Sequence, residues 1–335
     1  MRVIQLNHIT PDYSGLQVKE YPKPVPQKGE ILIKVRCAPV NPSDLMMLAG
    51  NYVVTEKLPF VPGLVAVGDI VENRGGILGT LVMSISRRVA FTPIQGKNGT
   101  WGEYAISSPK LCVPLSDKLA DEDAVNLLSN AATAIGLVET IRQAKTPSVV
   151  ITAAAGEVGR MLNTIALSHG ITPINIVRTP EQVNILRQMG AVHNLDMSQE
   201  MVQPELRNLT HKLNARMAID AIAGDMPNTL MDAMPHHSTI VILGRLSGES
   251  ITIDGLTQLV GKQHTLKGFS INEWFLSKNI IGQIFASLQA QKLLQNGYTT
   301  RIQHRVSLDE AAQKMSELTH CSTKGKTLIY PDRTR

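Results

Sequence analysis

The spacing of apolar residues changes character about a third of the way along the chain. Before that point, β-branched and aliphatic residues come in short runs broken by Pro and Gly, as at 31–36, 65–71 and 89–91, and each run predicts a short strand. Short strands between frequent turns predict a β-rich, partly open barrel. Further on, apolar runs alternate with helical spacing. Residues 149–153 form a continuous apolar stretch of the kind a parallel sheet buries on both faces, and a helix is predicted over 161–169. A strand at 174–178, a helix at about 180–189, a short strand at 191–195, a polar helical stretch, and strands at 217–222 and 239–244 repeat the unit. Repeated strand-helix-strand units predict an α/β class with a doubly wound parallel sheet. A further strand at 265–269 precedes a long helix.

Where the apolar stretch at 149–153 hands over to its helix, the chain reads Ala153-Ala154-Ala155-Gly156-Glu157-Val158-Gly159. Gly156 lets the backbone approach a pyrophosphate and Gly159 lets helix and sheet pack closely, while a helix N-terminus offers unpaired N–H groups to phosphates. Ala154 stands where the usual fingerprint has its first glycine. Glu157 is predicted to turn toward solvent, since a carboxylate in the first turn suits the helix dipole but would repel a phosphate if it turned inward. A bare strand-to-helix turn is the competing reading, and the βαβ setting favours the nucleotide. The second strand of the series ends in Arg178, with no acidic residue before Glu181. An Arg there accommodates a 2′-phosphate, where NAD-specific folds place Asp or Glu. NADPH is therefore the expected cofactor.

The remaining composition narrows the function classes. A chain of 335 residues is expected to hold two domains. No unbroken apolar window of the roughly 18 residues that a membrane span needs is present, and the first residues form no signal-peptide core, so the expected location is the cytoplasm with no membrane partner. Cys37, Cys112 and Cys321 are too few and too far apart for a disulfide framework or a four-cysteine zinc lobe. The net charge of +5 is spread along the chain, which argues for a solvated surface and against nucleic acid, and it suits anionic small molecules.

The segment Asn41-Pro42-Ser43-Asp44, followed by Gly50-Asn51-Tyr52, resembles the active-site segment of the medium-chain dehydrogenase/reductase superfamily with its metal ligands removed. Asn41 stands where the zinc enzymes carry a cysteine ligand, Pro62-Gly63-Leu64-Val65 replaces their Pro-Gly-His-Glu, and Ser129 stands at a third ligand position. These three residues do not supply the three nitrogen, sulfur or carboxylate ligands that zinc requires. The resemblance thus points to a zinc-independent member with no metal, most similar to the trans-2-enoyl-thioester reductases and next to the quinone oxidoreductases. It extends over about 31–330, through Gly99-Thr100-Trp101-Gly102, Leu243-Gly244-Arg245-Leu246-Ser247 and Leu266-Lys267-Gly268-Phe269.

The resemblance implies a GroES-like catalytic domain from 1–119 and 267–335 and a Rossmann dinucleotide-binding domain from 120–266. It implies Tyr52 and Asn41 as catalytic residues, with Asp44 fixing the turn through backbone bonds. Asn130 and Thr133 would lie beside the nicotinamide, internal capping being the competing explanation, with Gly156, Val158, Gly159, Arg178 and Gly244 also at the cofactor, and Trp274 would line an acyl pocket, an interface or core role being the alternative. By analogy the protein is a homodimer joined through the edge strand at 265–269. Without a metal to polarise an alcohol or ketone oxygen, the expected reaction is hydride addition to an activated double bond, 2-enoyl thioesters leading and quinones or α,β-unsaturated ketones the alternative. Leu64 weakens the thioester assignment, because the reductases carry an acidic residue after that glycine. A non-catalytic, NADPH-binding regulatory protein is the rival of another class, kept open by Glu157.

Overall fold

The computed structural model describes every residue except 53–56, 255, 297, 320–324 and 333–335. Cys321 lies outside the described residues. The chain forms two compact units, Met1–Ser129 with Ser287–Arg335, and Asn130–Ala286.

The first unit contains β1 (Arg2–Leu6), β2 (Leu16–Glu20), β3 (Ile31–Val40), α1 (Pro42–Leu48), β4 (Ala66–Asn73), α2 (Gly76–Ile85), β5 (Arg88–Phe91), β6 (Tyr104–Ser107), β7 (Cys112–Pro114) and α3 (Asp121–Ala124). The second contains α4 (Ala132–Gln143), β8 (Ser148–Thr152), α5 (Glu157–Ser168), β9 (Thr172–Val177), α6 (Pro180–Gln188), β10 (His193–Asp196), α7 (Val202–Lys212), β11 (Met217–Asp220), α8 (Met226–Ala233), β12 (Thr239–Ile242), α9 (Leu256–Gly261), β13 (Thr265–Gly268) and α10 (Ile271–Leu276). The division falls inside α11 (Ile280–Gln295), after which β14 (Ile302–Val306), α12 (Leu308–Thr319) and β15 (Lys326–Ile329) rejoin the first unit.

In the first unit the long strand β3 is the hub, pairing antiparallel with β4, β6 and β15; the seven strands of this sheet among the described residues run β14-β15-β3-β4-β5-β7, with β6 beside β3 off that path. Ile31, Ile33, Val35, Phe91, Trp101 and Ile329 are buried in its core. Asp121 of α3 is held by Arg36 at 2.6 Å and Arg88 at 2.8 Å. Asn126 donates to Thr300 at 2.7 Å. These bonds keep 120–129 with the barrel, where the sequence boundary stood at 119.

The second unit is a six-stranded parallel sheet ordered β10-β9-β8-β11-β12-β13. The chain starts in the middle at β8, runs outward to β10, then crosses back to β11, so the order reverses between β8 and β11. Doubly wound sheets bind ligands at such a switch point, outside the carboxyl ends of the strands. All of β8 is buried, which is why its sequence is apolar without alternation. Asn163 of α5 and Asn175 of β9 exchange amide hydrogen bonds of 2.8 and 2.9 Å, satisfying two fully buried side chains and fixing helix to sheet. At the far edge, Phe269 and Trp274 pack so closely on Gly136 of α4 that a Cβ there would come within 2.7 and 2.9 Å of them. This contact and the pairing of β13 with β12 keep 267–286 with the nucleotide-type sheet, where the sequence boundary stood at 266. The helical run Asp121–Gln143 has the length and mean apolarity of a membrane span and is mostly buried, as a core helix is.

Candidate functional site

The candidate residues fall into two groups, one in each unit. In the first, Asn41 caps α1, Pro42 starts the helix and Asp44 occupies its third position, a local sequence that nucleates a helix start. Asp44 is fully buried. One of its oxygens accepts the Asn41 backbone N–H at 2.8 Å and the other accepts that of Leu64 at 3.0 Å. The expected turn-fixing role is therefore observed, and it reaches further than one turn by tying in the Pro62-Gly63-Leu64 segment. Burial pushes the Asp44 carboxyl up to about 6, against the lowering effect of those two bonds and of the Lys326 charge.

The Asn41 carboxamide is engaged away from its helix. Its Oδ1 accepts a 2.6 Å hydrogen bond from Nζ of Lys326, the first residue of β15. Both residues are buried, Asn41 at 3% exposure and Lys326 at 8%. The other end of the amide, Nδ2, is buried with no hydrogen-bond partner among the described residues, and so is Oγ of Ser129. Both of these unpartnered atoms belong to positions where the resembling zinc enzymes place ligands. Tyr52 is half-buried, and burial first, then the Asp44 charge, raises its phenol above the usual tyrosine value. Among the described residues no group of three or more His, Cys, Asp or Glu side chains is placed to hold a metal ion. Cys37 and Cys112 are buried and free, with both thiols pushed up by burial, Cys112 to about 12.

In the second unit, β8 ends just before Ala153, whose backbone is left-handed (φ 48°), and Gly156 caps α5 with no side-chain cap on the first turn. The N–H groups of that turn are thereby left for a ligand. A Cβ on Gly159 would lie 2.5 Å from the Ala154 carbonyl oxygen, so only glycine permits this helix-to-strand approach. Val158 lies in the same first turn.

Glu157 does not turn to solvent as expected. Its carboxylate takes a 2.8 Å ion pair from Arg160 one turn on, and its side chain is 15% exposed. The charge that kept the non-catalytic rival open is balanced within the helix. Arg178 follows β9, exposed, its backbone N–H bonded to Gln182 at 2.9 Å. Gly244 lies just past β12, and Thr133, buried at 8% exposure, in the first turn of α4. Asn130 belongs to a single π-helical turn, Leu127–Ala131, that leads into α4; such turns are frequent at functional sites.

Sequence reasoning overlooked a clamp at the switch point. Asp220, fully buried at the end of β11, accepts from Thr152 at the end of β8 at 2.7 Å and from the backbone N–H groups of Ile222 and Ala223 at 3.0 Å. An acidic residue ending an apolar strand was the available signal. Trp274 is held inside its unit: the indole N–H donates to Glu139 at 3.1 Å, and Lys278, which pairs with Glu139 at 2.8 Å, lies 4.7 Å over the ring.

Comparison with known proteins finds a family model for a stretch of each unit. Residues 27–117 match the family model of the alcohol dehydrogenase GroES-like domain, and residues 158–288 that of the zinc-binding dehydrogenases. The mitochondrial enoyl-acyl-carrier-protein reductase of Xenopus tropicalis is 29% identical over 257 residues, spanning 74% of this chain and 71% of that protein. The Rattus norvegicus enzyme of the same name is 26% identical, spanning 77% and 69%. A solved structure named as an NADPH:quinone reductase from Mesorhizobium loti aligns with a TM-score of 0.89 at 29% identity, covering 99% of this chain and 98% of that one. The quinone oxidoreductase of Thermus thermophilus shares the fold, with a TM-score of 0.74 at 19% identity over 98% of this chain and 100% of that one. Fold and site define a two-unit oxidoreductase. The chain belongs to the medium-chain dehydrogenase/reductase superfamily.

Proposed function

We propose that the protein is an NADPH-dependent, zinc-independent reductase of activated carbon–carbon double bonds, with 2-enoyl thioesters as its leading substrates. The observation that carries this reading is the buried, unpartnered Nδ2 of Asn41, with a second donor in the Tyr52 phenol, kept protonated by burial and by the charge of the same Asp44 that holds the Asn41 backbone. Negative charge that develops on a carbonyl oxygen during β-carbon reduction needs such donors, and the α carbon needs an acid. The likeness to enoyl-acyl-carrier-protein reductases supports the thioester class.

The second unit fits a dinucleotide. The uncapped first turn of α5 suits a pyrophosphate, Glu157 is neutralised by Arg160, and the exposed guanidinium of Arg178 suits a 2′-phosphate. When bound, NADPH supplies a hydride. Gly156, Val158 and Gly159 would hold its phosphates, Gly244 would let the chain pass close to it, and Asn130 and Thr133 would hold its nicotinamide end. Trp274, held by Glu139, would offer its remaining surface to the acyl chain.

A quinone or enone acceptor is the second reading, favoured by Leu64, which presents no acid after Gly63, and by the similarity to the Mesorhizobium loti protein. An NADPH oxidation panel with crotonyl and longer enoyl thioesters, quinones and enones decides between them. Thioesters should give the highest kcat/KM; quinone turnover without thioester turnover would overturn the first reading in favour of the second.

A further inference from the structure

Asn41 and Lys326 are separated by 285 positions in the chain and meet in the interior of the first unit. The orientation of an asparagine amide, which end faces which neighbour, is set by its hydrogen-bond partners. Here the partner settles it. Lys326 donates, and an ammonium accepts nothing, so Oδ1 must face Nζ and the NH₂ end must be the end that is left over. A buried N–H without a partner costs roughly 1–3 kcal/mol, so a fold keeps one only where something else compensates. Hydrogen bonding to a cation also draws electron density toward Oδ1 and makes the NH₂ a stronger donor, as bonds in a chain polarise one another.

We infer that Lys326 is a positioning residue: it locks the Asn41 carboxamide so that Nδ2 is presented to an acceptor oxygen of a bound ligand. The inference rests on the functional reading above. The oxygen is a carbonyl of the reducible substrate or a ribose hydroxyl of the cofactor, and both are hydrogen-bond acceptors of the same kind. Locking matters because a free amide offers its oxygen as readily as its nitrogen, and an oxygen facing a ligand oxygen repels it. Asp44 contributes by holding the backbone of Asn41 in place, so that the lysine acts on an amide whose Cα is already fixed.

The test is a mutant cycle on the full-length protein with three variants, Asn41→Ala, Asn41→Asp and Lys326→Met, and the Asn41→Ala/Lys326→Met double variant. Asn41→Asp keeps an oxygen for Lys326 while deleting the donor, so it separates ligand binding from support of the fold. Urea midpoints establish that each variant is folded. NADPH affinity by fluorescence titration and crotonyl coenzyme A affinity by calorimetry on the NADP⁺-loaded protein are measured beside turnover. Asn41→Ala and Asn41→Asp should each lose about tenfold or more on one probe, Lys326→Met about as much on the same probe, and the double variant no more than Asn41→Ala alone. Loss on crotonyl coenzyme A assigns the substrate carbonyl; loss on NADPH assigns the ribose. Full function in Asn41→Asp, or losses that multiply in the double variant, would overturn the inference. Absence of turnover in the unaltered protein with intact binding coupling would instead overturn the proposed reaction alone, and failure to bind either probe would overturn both.

Discussion

Glu157 and Arg160 form a 2.8 Å ion pair across the first turn of α5, both side chains largely covered. An acidic residue one position past the helix cap is unfavourable beside a phosphate, and its neighbour one turn on cancels that charge before any ligand arrives. Arg160→Met should therefore weaken NADPH binding by about tenfold, because the guanidinium that pairs with Glu157 is removed from beside the loop. Adding Glu157→Gln should restore most of the affinity. Fluorescence titrations of the two variants check this, and a double variant as weak as the single one would show that Arg160 acts on the fold.

Arg178 follows β9 with its side chain exposed. A charge-assisted bond to phosphate contributes roughly 1.5–3 kcal/mol, so Arg178→Ala should cost about tenfold or more in NADPH affinity and leave NADH nearly unchanged. Equal losses for the two cofactors would assign Arg178 a structural role.

Local chemistry was readable from the chain and long-range pairing was not. The buried run that became β8 was evident because both faces of a central parallel strand are covered; at Asn41-Pro42-Ser43-Asp44 the turn fixed by Asp44 was expected, while the helix that it opens was not. The helix α5 begins at Glu157, ahead of its predicted start at 161, because the glycine loop is itself the helix cap. The helix α2 escaped notice, and its Ile77, Leu81 and Ile85 stand exposed with no polar face to reveal a period. Lys326 opens a strand, where a lysine reads as a solvated end; only the fold brings it to Asn41.

Asp44 makes a pH-dependent contribution to stability. Its folded value lies near 6, above the usual carboxylate range, so between about pH 4 and pH 6 the folded protein binds more protons than the unfolded chain. Stability from this group is present in full below that window and is lost as pH rises through it, by roughly 3 kcal/mol. Asp44→Asn removes the titration, so the difference in urea midpoints between the two proteins should change across pH 4–6 and level off above it. Parallel profiles would show that Asp44 is not buried as a titrating group.

Among the described residues the edge strand β13 has a paired neighbour only in β12, and near it in sequence Leu276, Ile280, Ile281, Ile284 and Phe285 are each more than half exposed. An open strand edge and an apolar helix surface are features that a second copy of the chain would cover. The protein should run as a homodimer in sedimentation, and Ile281→Glu/Phe285→Glu should shift it to monomer with the fold retained. A monomeric unaltered protein at micromolar concentration would remove this reading.

Tyr52 stands half-buried near Asp44, its proton held by both burial and that negative charge. A phenol in this state is available as a donor throughout the neutral range. Tyr52→Phe keeps the ring and deletes the hydroxyl, so folding and NADPH affinity should survive while turnover falls. Positioned acids contribute about 10²–10⁴ in rate, and the loss should appear in kcat because the bond forms only as charge develops. Thioester reduction depends on a side-chain acid more than quinone reduction does, since the oxygens of a reduced quinone collect protons from solvent. Tyr52→Phe should therefore depress thioester turnover far more than quinone turnover. A variant within about threefold of the unaltered protein on thioesters would pass the proton to a bound water and remove the main support for an enoyl reductase.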